Sequence, residues 1–195
     1  MKKTAITLIL LISISFSGFS QMVLKPAIGM NFTSMSSDPA SYSATGRMGW
    51  QLGGTVVLGD EFYIEPGIFW MKNNWELQEL NTSIPSFDND ISSLKIPLYL
   101  GWNIVGDATD DRNFHVFGGP AAQIITKVNS GSSTISEDDF NKFIWGVNLG
   151  AGLSIGKIFI DGGYEWGLTD LYKTEPKDVR SSGWWLNAGF RLEFL

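Results

Sequence analysis

The chain has 195 residues, of which 44% are hydrophobic and 13% aromatic, with 22 glycines, no cysteine, one histidine and a formal net charge of −6. Acidity of that size excludes a nucleic-acid partner, which needs a basic surface. The missing cysteines exclude a disulfide framework, and with a single histidine they leave few ligands for zinc or copper, so no metal or other cofactor is expected.

The first element is a leader. Lys2 and Lys3 precede an apolar run from Ala5 to Phe16, and small residues Gly18 and Ser20 follow. That charged, apolar, small-residue order predicts a secretory signal peptide over 1–20, and residues 21–195 then form one domain. Without Lys2 and Lys3 the chain is two units more negative. Beyond the leader there is no apolar run of the length a transmembrane helix needs.

Period-two alternation predicts eight strands, in chain order Val23–Phe32, Arg47–Leu58, Phe62–Asn74, Leu94–Ile104, Phe114–Lys127, Phe143–Ile155, Ile158–Leu168 and Trp184–Phe194. They exceed the ~5–6 residues of an ordinary soluble strand and match the ~9–11 that a tilted strand needs to cross a bilayer. Short connections ("GDE", "VGDATDDRN", "GK") take turns with long polar ones ("TSMSSDPASYSATG", "WELQELNTSIPSFDNDISS", "VNSGSSTISEDDFN", "TDLYKTEPKDVRSSG"). Gly59-Asp60 and Gly156-Lys157 suit tight hairpins. Short turns at one end and long loops at the other are the pattern of an eight-stranded antiparallel up-and-down transmembrane β-barrel, with both termini in the periplasm. Among the long loops, "NWELQEL" is the one candidate for extending the barrel beyond the membrane.

The two faces sort cleanly. One carries Trp50, Leu52, Val56, Leu58, Ile64 and Ile68, then Ile96, Leu98 and Leu100 of the fourth strand, then Val147, Leu149, Leu153, Ile160 and Tyr164, with no charge among them. The other carries Lys25, Gln51, Glu65, Lys95, Asn103, Gln123, Asn148, Asp161, Glu165, Asn187, Arg191 and Glu193. A soluble barrel around a ligand would turn the apolar face inward. Aromatics at the strand ends favour the opposite: Trp50, Trp70, Trp145, Trp166 and Trp184 at one end and Trp102 at the other read as two girdles against outer-membrane lipid. From Trp145 to Ile155 the strand covers ~33 Å along its axis, or ~25 Å of height when tilted, the expected apolar band.

The stretches "SLKIPLYLGWNI", "FHVFGGPAAQI", "WGVNLGAGLSIGKIFIDGGYEWGLTDL" and "LNAGFRLEFL" resemble the PorT-like small outer-membrane β-barrel domain proteins of Gram-negative bacteria. The resemblance implies an outer-membrane barrel inserted by the barrel-assembly machinery. It also places Asn187, Gly189, Leu192 and Phe194 at the positions of the C-terminal signal that machinery reads, with Leu195 as an extra residue. The family brings no catalytic residues.

The chemistry-bearing residues read as structure. Any catalytic triad would have to use His115, which sits at the turn end facing inward beside Asp107, Asp110, Asp111 and Arg112. Glu65, Asp161, Glu165 and Glu193 share their face with Lys25, Lys95 and Arg191, so a salt-bridged lumen network is expected rather than an acid–base dyad. The long loops hold eleven acids against four bases, a net −7. "FDNDIS" and "SEDDF" lack EF-hand spacing, so a solvated acidic surface is expected. Ile84, Pro85, Phe87, Leu171 and Tyr172 are apolar loop residues that pack the loops together or meet an unknown protein or ligand. The expected role is structural or interaction-based, not enzymatic. A narrow channel for ions or small solutes is the alternative, and a lipid-modifying enzyme comes third.

Overall fold

A computed structural model describes residues 22–36, 42–46, 48–79, 87–130, 141–170 and 180–194. The signal peptide expected over 1–20, and the loop residues Ile84, Pro85, Leu171 and Tyr172, lie outside them. Ten β-segments make eight staves: β1 (Met22–Ser36), β2 (Tyr42–Gly46) with β3 (Met48–Gly59), β4 (Phe62–Glu79), β5 (Phe87–Val105), β6 (Arg112–Ser130), β7 (Phe143–Ile155), β8 (Ile158–Gly167), and β9 (Arg180–Phe190) with β10 (Leu192–Phe194). Each stave pairs antiparallel with the next, from β3–β4 through β8–β9. The last stave returns to the first, with Met22 opposite Phe194 and Phe32 opposite Trp184. The barrel is closed and eight-stranded, as the alternation predicts, and holds no helix among the described residues.

Several staves differ in length from the expectation. β4, β5 and β6 run 18, 19 and 19 residues. Phe87, expected in a loop, begins β5. Asn74–Leu77 pair with 87–90, and Gln78 and Glu79 pair with β2, so this hairpin carries the sheet past the apolar band. The final stave begins at Arg180 rather than Trp184; its pairing with β1 is interrupted at Arg191, while the Arg191 backbone N–H donates to the carbonyl of Lys157 as the next rung after Ile158–Phe190.

Prolines thin the ladder. Pairing skips Lys25 and Pro26 at the β1 seam, and Val56–Val57 opposite Glu65–Pro66. It also skips Gly67–Ile68 opposite Ile96–Pro97, and Leu98–Tyr99 opposite Gly119–Pro120. A proline has no N–H to contribute, so each gap coincides with one. At the turns, Gly106 (φ +68) and Gly156 (φ +57) take the left-handed backbone that tight connections demand.

Alternate side chains point in and out. Outward stand Ile28, Leu52, Ile68, Leu98, Leu100, Leu149 and Ile160, all well exposed, with no charge between them. Leu58 shares this parity but is buried, flanked on the ladder by Met22 and Ile64. The interior is filled by three groups: Val23, Val57, Tyr63 and Ala108; Ala27, Phe69, Met71 and Phe159; and Tyr99, Phe117 and Trp185. Eight strands leave an interior just wide enough for such filling. Glycine makes the room: a Cβ on Gly101 would occupy the Tyr63 ring, and one on Gly150 the Phe117 ring.

Candidate functional site

The lumen holds the buried polar residues, and they fall into two layers. In the layer nearer the short turns, Lys25 of β1 places Nζ 2.6 Å from Asp161 Oδ2 of β8 and 3.1 Å from Glu65 Oε1 of β4. Thr55 donates to the same Glu65 oxygen at 2.5 Å. The other Asp161 oxygen lies 3.0 Å from His115 Nε2, and His115 Nδ1 lies 2.5 Å from Asn113 Oδ1. Asn113 donates to Asn103 Oδ1 at 2.8 Å, and Asn103 to the carbonyl of Asp60 in the β3–β4 turn. Lys25 also stands 4.5 Å over the Phe159 ring. Every charged member of this layer is at least nine-tenths buried, a placement tolerable for ions only when they are paired.

Nearer the loop end, Lys95 pairs with Glu165 and lies 3.4 Å from Asn148 Oδ1, which also accepts from the Trp185 indole at 2.9 Å. Gln51 donates to Asn187 Oδ1 at 2.6 Å. Between the layers Tyr99 stacks on Trp185 (6.3 Å, 4°), and Phe117 leans against both. One cavity of about 10 Å³ borders Lys25, His115 and Arg191; another of about 20 Å³ borders Lys95, Glu165 and Trp185. Each has room for about one water.

Arg191 closes the turn end. Its guanidinium donates to the carbonyls of Ala108 (2.8 Å), Asp110 (2.6 Å) and Gly156 (2.7 Å). It thereby ties the β5–β6 and β7–β8 turns to the last stave. Ala108, drawn inward, is 7% exposed. In the same turn the Asp107 carboxyl is pushed above its usual value by partial loss of solvent, and then by the charges of Asp60 and Asp110.

Of the expected lumen residues, the structure brings Lys25, Glu65 and Asp161 into one cluster and Lys95 and Glu165 into another; Arg191 belongs to the mouth. Glu193 does not join them. Its side chain is 39% exposed and 3.7 Å from Arg191, at the rim, where the last stave ends opposite Val23. Trp50, Trp70, Trp145, Trp166 and Trp184 stand outward toward the loop end, and Trp102 outward at the turn end, each 45–65% exposed. Tyr164 packs edge-on to Trp166 and Trp184, and Phe62 stacks on Trp102. Asn187 is buried, Leu192 and Phe194 are exposed, and a Cβ on Gly189 would overlap the Pro26 carbonyl.

Sequence reasoning did not single out Thr55, Asn113, Tyr99 or Phe117. Parity alone was the available signal: Thr55 shares its face with Gln51, and Asn113 and Phe117 share theirs with His115.

Residues 12–173 match the family described as outer membrane protein beta-barrel domain, and the chain belongs to that family. None of the curated proteins matches it. Among solved structures it is similar to the outer membrane protein OprG from Pseudomonas aeruginosa, at 14% identity over 89% of this chain and 95% of that one, with a TM-score of 0.61. It is also similar to Ail, the attachment invasion locus protein of Yersinia pestis, solved with the heparin analogue sucrose octasulfate. There the identity is 14%, over 88% of this chain and 99% of that one, with a TM-score of 0.47. At such identities the likeness to OprG concerns the fold alone.

Proposed function

We propose that this member of the outer membrane protein beta-barrel domain family is a sealed scaffold that presents its acidic loops for recognition outside the cell. Both termini and the short turns then face the periplasm. The observation that carries the reading is the filled lumen: Lys25 is committed to Asp161 and Glu65, Lys95 to Glu165, and Arg191 to three carbonyls at the mouth. The cavities beside them are of water size. Charges so engaged are not free to hydrate a passing ion.

A signal peptide over 1–20 fits this location, as do outer-membrane lipid around the tryptophans and insertion by the barrel-assembly machinery reading Asn187, Gly189, Leu192 and Phe194. The PorT-like resemblance of the second half supports the same placement. An unknown protein or ligand at the loops is the partner this reading requires.

The test is single-channel conductance of the refolded barrel in a planar bilayer, with insertion verified on the same sample. Silence from inserted protein is expected. Steady, ion-selective openings abolished by Lys95→Met would replace the scaffold with a narrow channel.

A further inference from the structure

We infer that the turn-end layer of the lumen is a proton-binding site: one proton beyond those of ionised acids and a neutral imidazole is held on the ring of His115 where it meets Asp161. The inference stands whether or not the barrel conducts.

The hydrogen-bond directions carry it. Asn103 gives its amide N–H to the carbonyl of Asp60, which turns its Oδ1 toward Asn113. Asn113 gives its Nδ2 to that oxygen and to the carbonyl of Gly106 (3.3 Å), which turns its own Oδ1 toward His115 Nδ1. Flipping Asn113 would set its oxygen against two acceptors, so Nδ1 must donate. On the other side of the ring Nε2 faces a carboxylate oxygen whose twin already accepts from Lys25. That contact also needs a hydrogen, and a neutral imidazole supplies only one N–H for two nitrogens. The second hydrogen is the bound proton.

Charge gives the same answer independently. The groups facing His115 are Asp161 from β8, Lys25 from β1, Glu65 and the Tyr63 ring from β4, and Asn113 from its own strand. Arg191 borders the same cavity but is saturated by carbonyls and paired with Glu193. Lys25 alone against Glu65 and Asp161 leaves one uncompensated negative charge in a layer at least nine-tenths buried, which is costly. With the proton the layer is neutral. The proton's rival seats among the described residues are Asp161 Oδ1, across the same contact, and Glu65 Oε2, which is buried and has no hydrogen-bond partner.

His115 is the sole histidine, so an untagged, ¹⁵N-histidine-labelled barrel in lipid nanodiscs shows one imidazole. At neutral pH both ring nitrogens are expected to show a bonded hydrogen. One nitrogen without hydrogen overturns the inference, including the cases in which the proton sits on Asp161 or on Glu65. Charge variants provide a second readout, the folded-to-unfolded ratio in urea. In the native chain Glu65→Gln leaves a surplus positive charge and lowers the ratio roughly a hundredfold, the scale of a broken buried pair. His115→Gln lowers it similarly, and adding Glu65→Gln to that variant raises it again by at least about tenfold, because neutrality returns. If Glu65→Gln instead stabilises the native chain, the layer carried no extra proton.

Discussion

The guanidinium of Arg191 donates at 2.8 Å to the carbonyl of Ala108, a residue 83 positions earlier in the chain. Together with its bonds to Asp110 and Gly156, this makes one side chain the common tie of three chain segments at the barrel mouth. Arg191→Ala should therefore lower stability by about 2–4 kcal/mol, since charge-assisted hydrogen bonds are lost and buried carbonyls are left without donors. Arg191→Lys should recover less than half of that, because an ammonium cannot reproduce the planar fork that reaches several carbonyls at once. Urea titration followed by the gel mobility of the folded barrel checks both. An alanine variant as stable as the parent would remove the tie.

Two glycines of one hairpin make opposite demands. A Cβ on Gly152 would run into Asp161 Oδ1 and His115 Nε2, whereas one on Gly156 meets nothing within 4 Å. Gly152→Ala is expected to break the His115–Asp161 contact and destabilise by ~3 kcal/mol or more, as does splitting a buried pair. Gly156→Ala should cost only ~1 kcal/mol, the backbone penalty of a left-handed site. Comparable losses at the two positions would show that strand crowding, not the polar cluster, sets the need for glycine at 152.

Alternation made the barrel legible, because every second residue from Trp145 to Leu153 had to choose between hydrocarbon and a packed interior. The same parity placed Lys25, Glu65 and Asp161 on the inner face. It did not reveal that they meet, since contact across the lumen depends on stagger between staves distant in sequence. Nor did it place Glu193. The register on β1 is the same on either side of Arg191, so alternation holds. The stave ends at the rim, however, and leaves the Glu193 side chain partly exposed, a position along the stave that parity does not report. The Asn113–Asn103–Asp60 chain depends on a register shift between Asn103 and Val105, which nothing in local composition announces.

The β5–β6 turn carries a pH dependence of definite sign. Asp107 binds its proton more tightly in the folded barrel than free carboxyls do, owing first to lost solvent and then to Asp60 and Asp110. Its ionised form is therefore unfavourable there, and that penalty applies above the folded-state value and vanishes below the ordinary carboxylate range. Asp107→Asn should stabilise the barrel at neutral pH, with the gain shrinking to nothing as the solution is acidified. Urea midpoints of parent and variant across that range check this; a gain that persists in acid would assign the effect to something other than charge.

Where prolines interrupt the ladder, backbone amides should exchange with solvent deuterium sooner than their neighbours. Val57 and Tyr99 lie in two of the gaps, while Val147 and Ala151 sit in continuous pairing on both sides. Exchange measured in lipid nanodiscs should rank the first pair faster by at least about tenfold, as expected when opening needs no ladder bond to break. Uniform protection along the staves would mean that the gaps are closed by other partners.

The outward face gives the sharpest test of the bilayer. Leu149 stands mid-stave on β7, 60% exposed, and Ile155 ends the same stave, 71% exposed. In water a charge at either position would be harmless, since both side chains already face out. In a bilayer the cost depends on depth: about 2–4 kcal/mol for arginine at the midplane and about 0–1 near the interface. Leu149→Arg should accordingly destabilise the barrel in lipid vesicles by ~3 kcal/mol, and Ile155→Arg by less than ~1. Refolding titrations of the two variants beside the parent measure the difference directly. A small, equal cost at both positions would mean that this face does not meet hydrocarbon, and the apolar band would then need a protein partner to cover it.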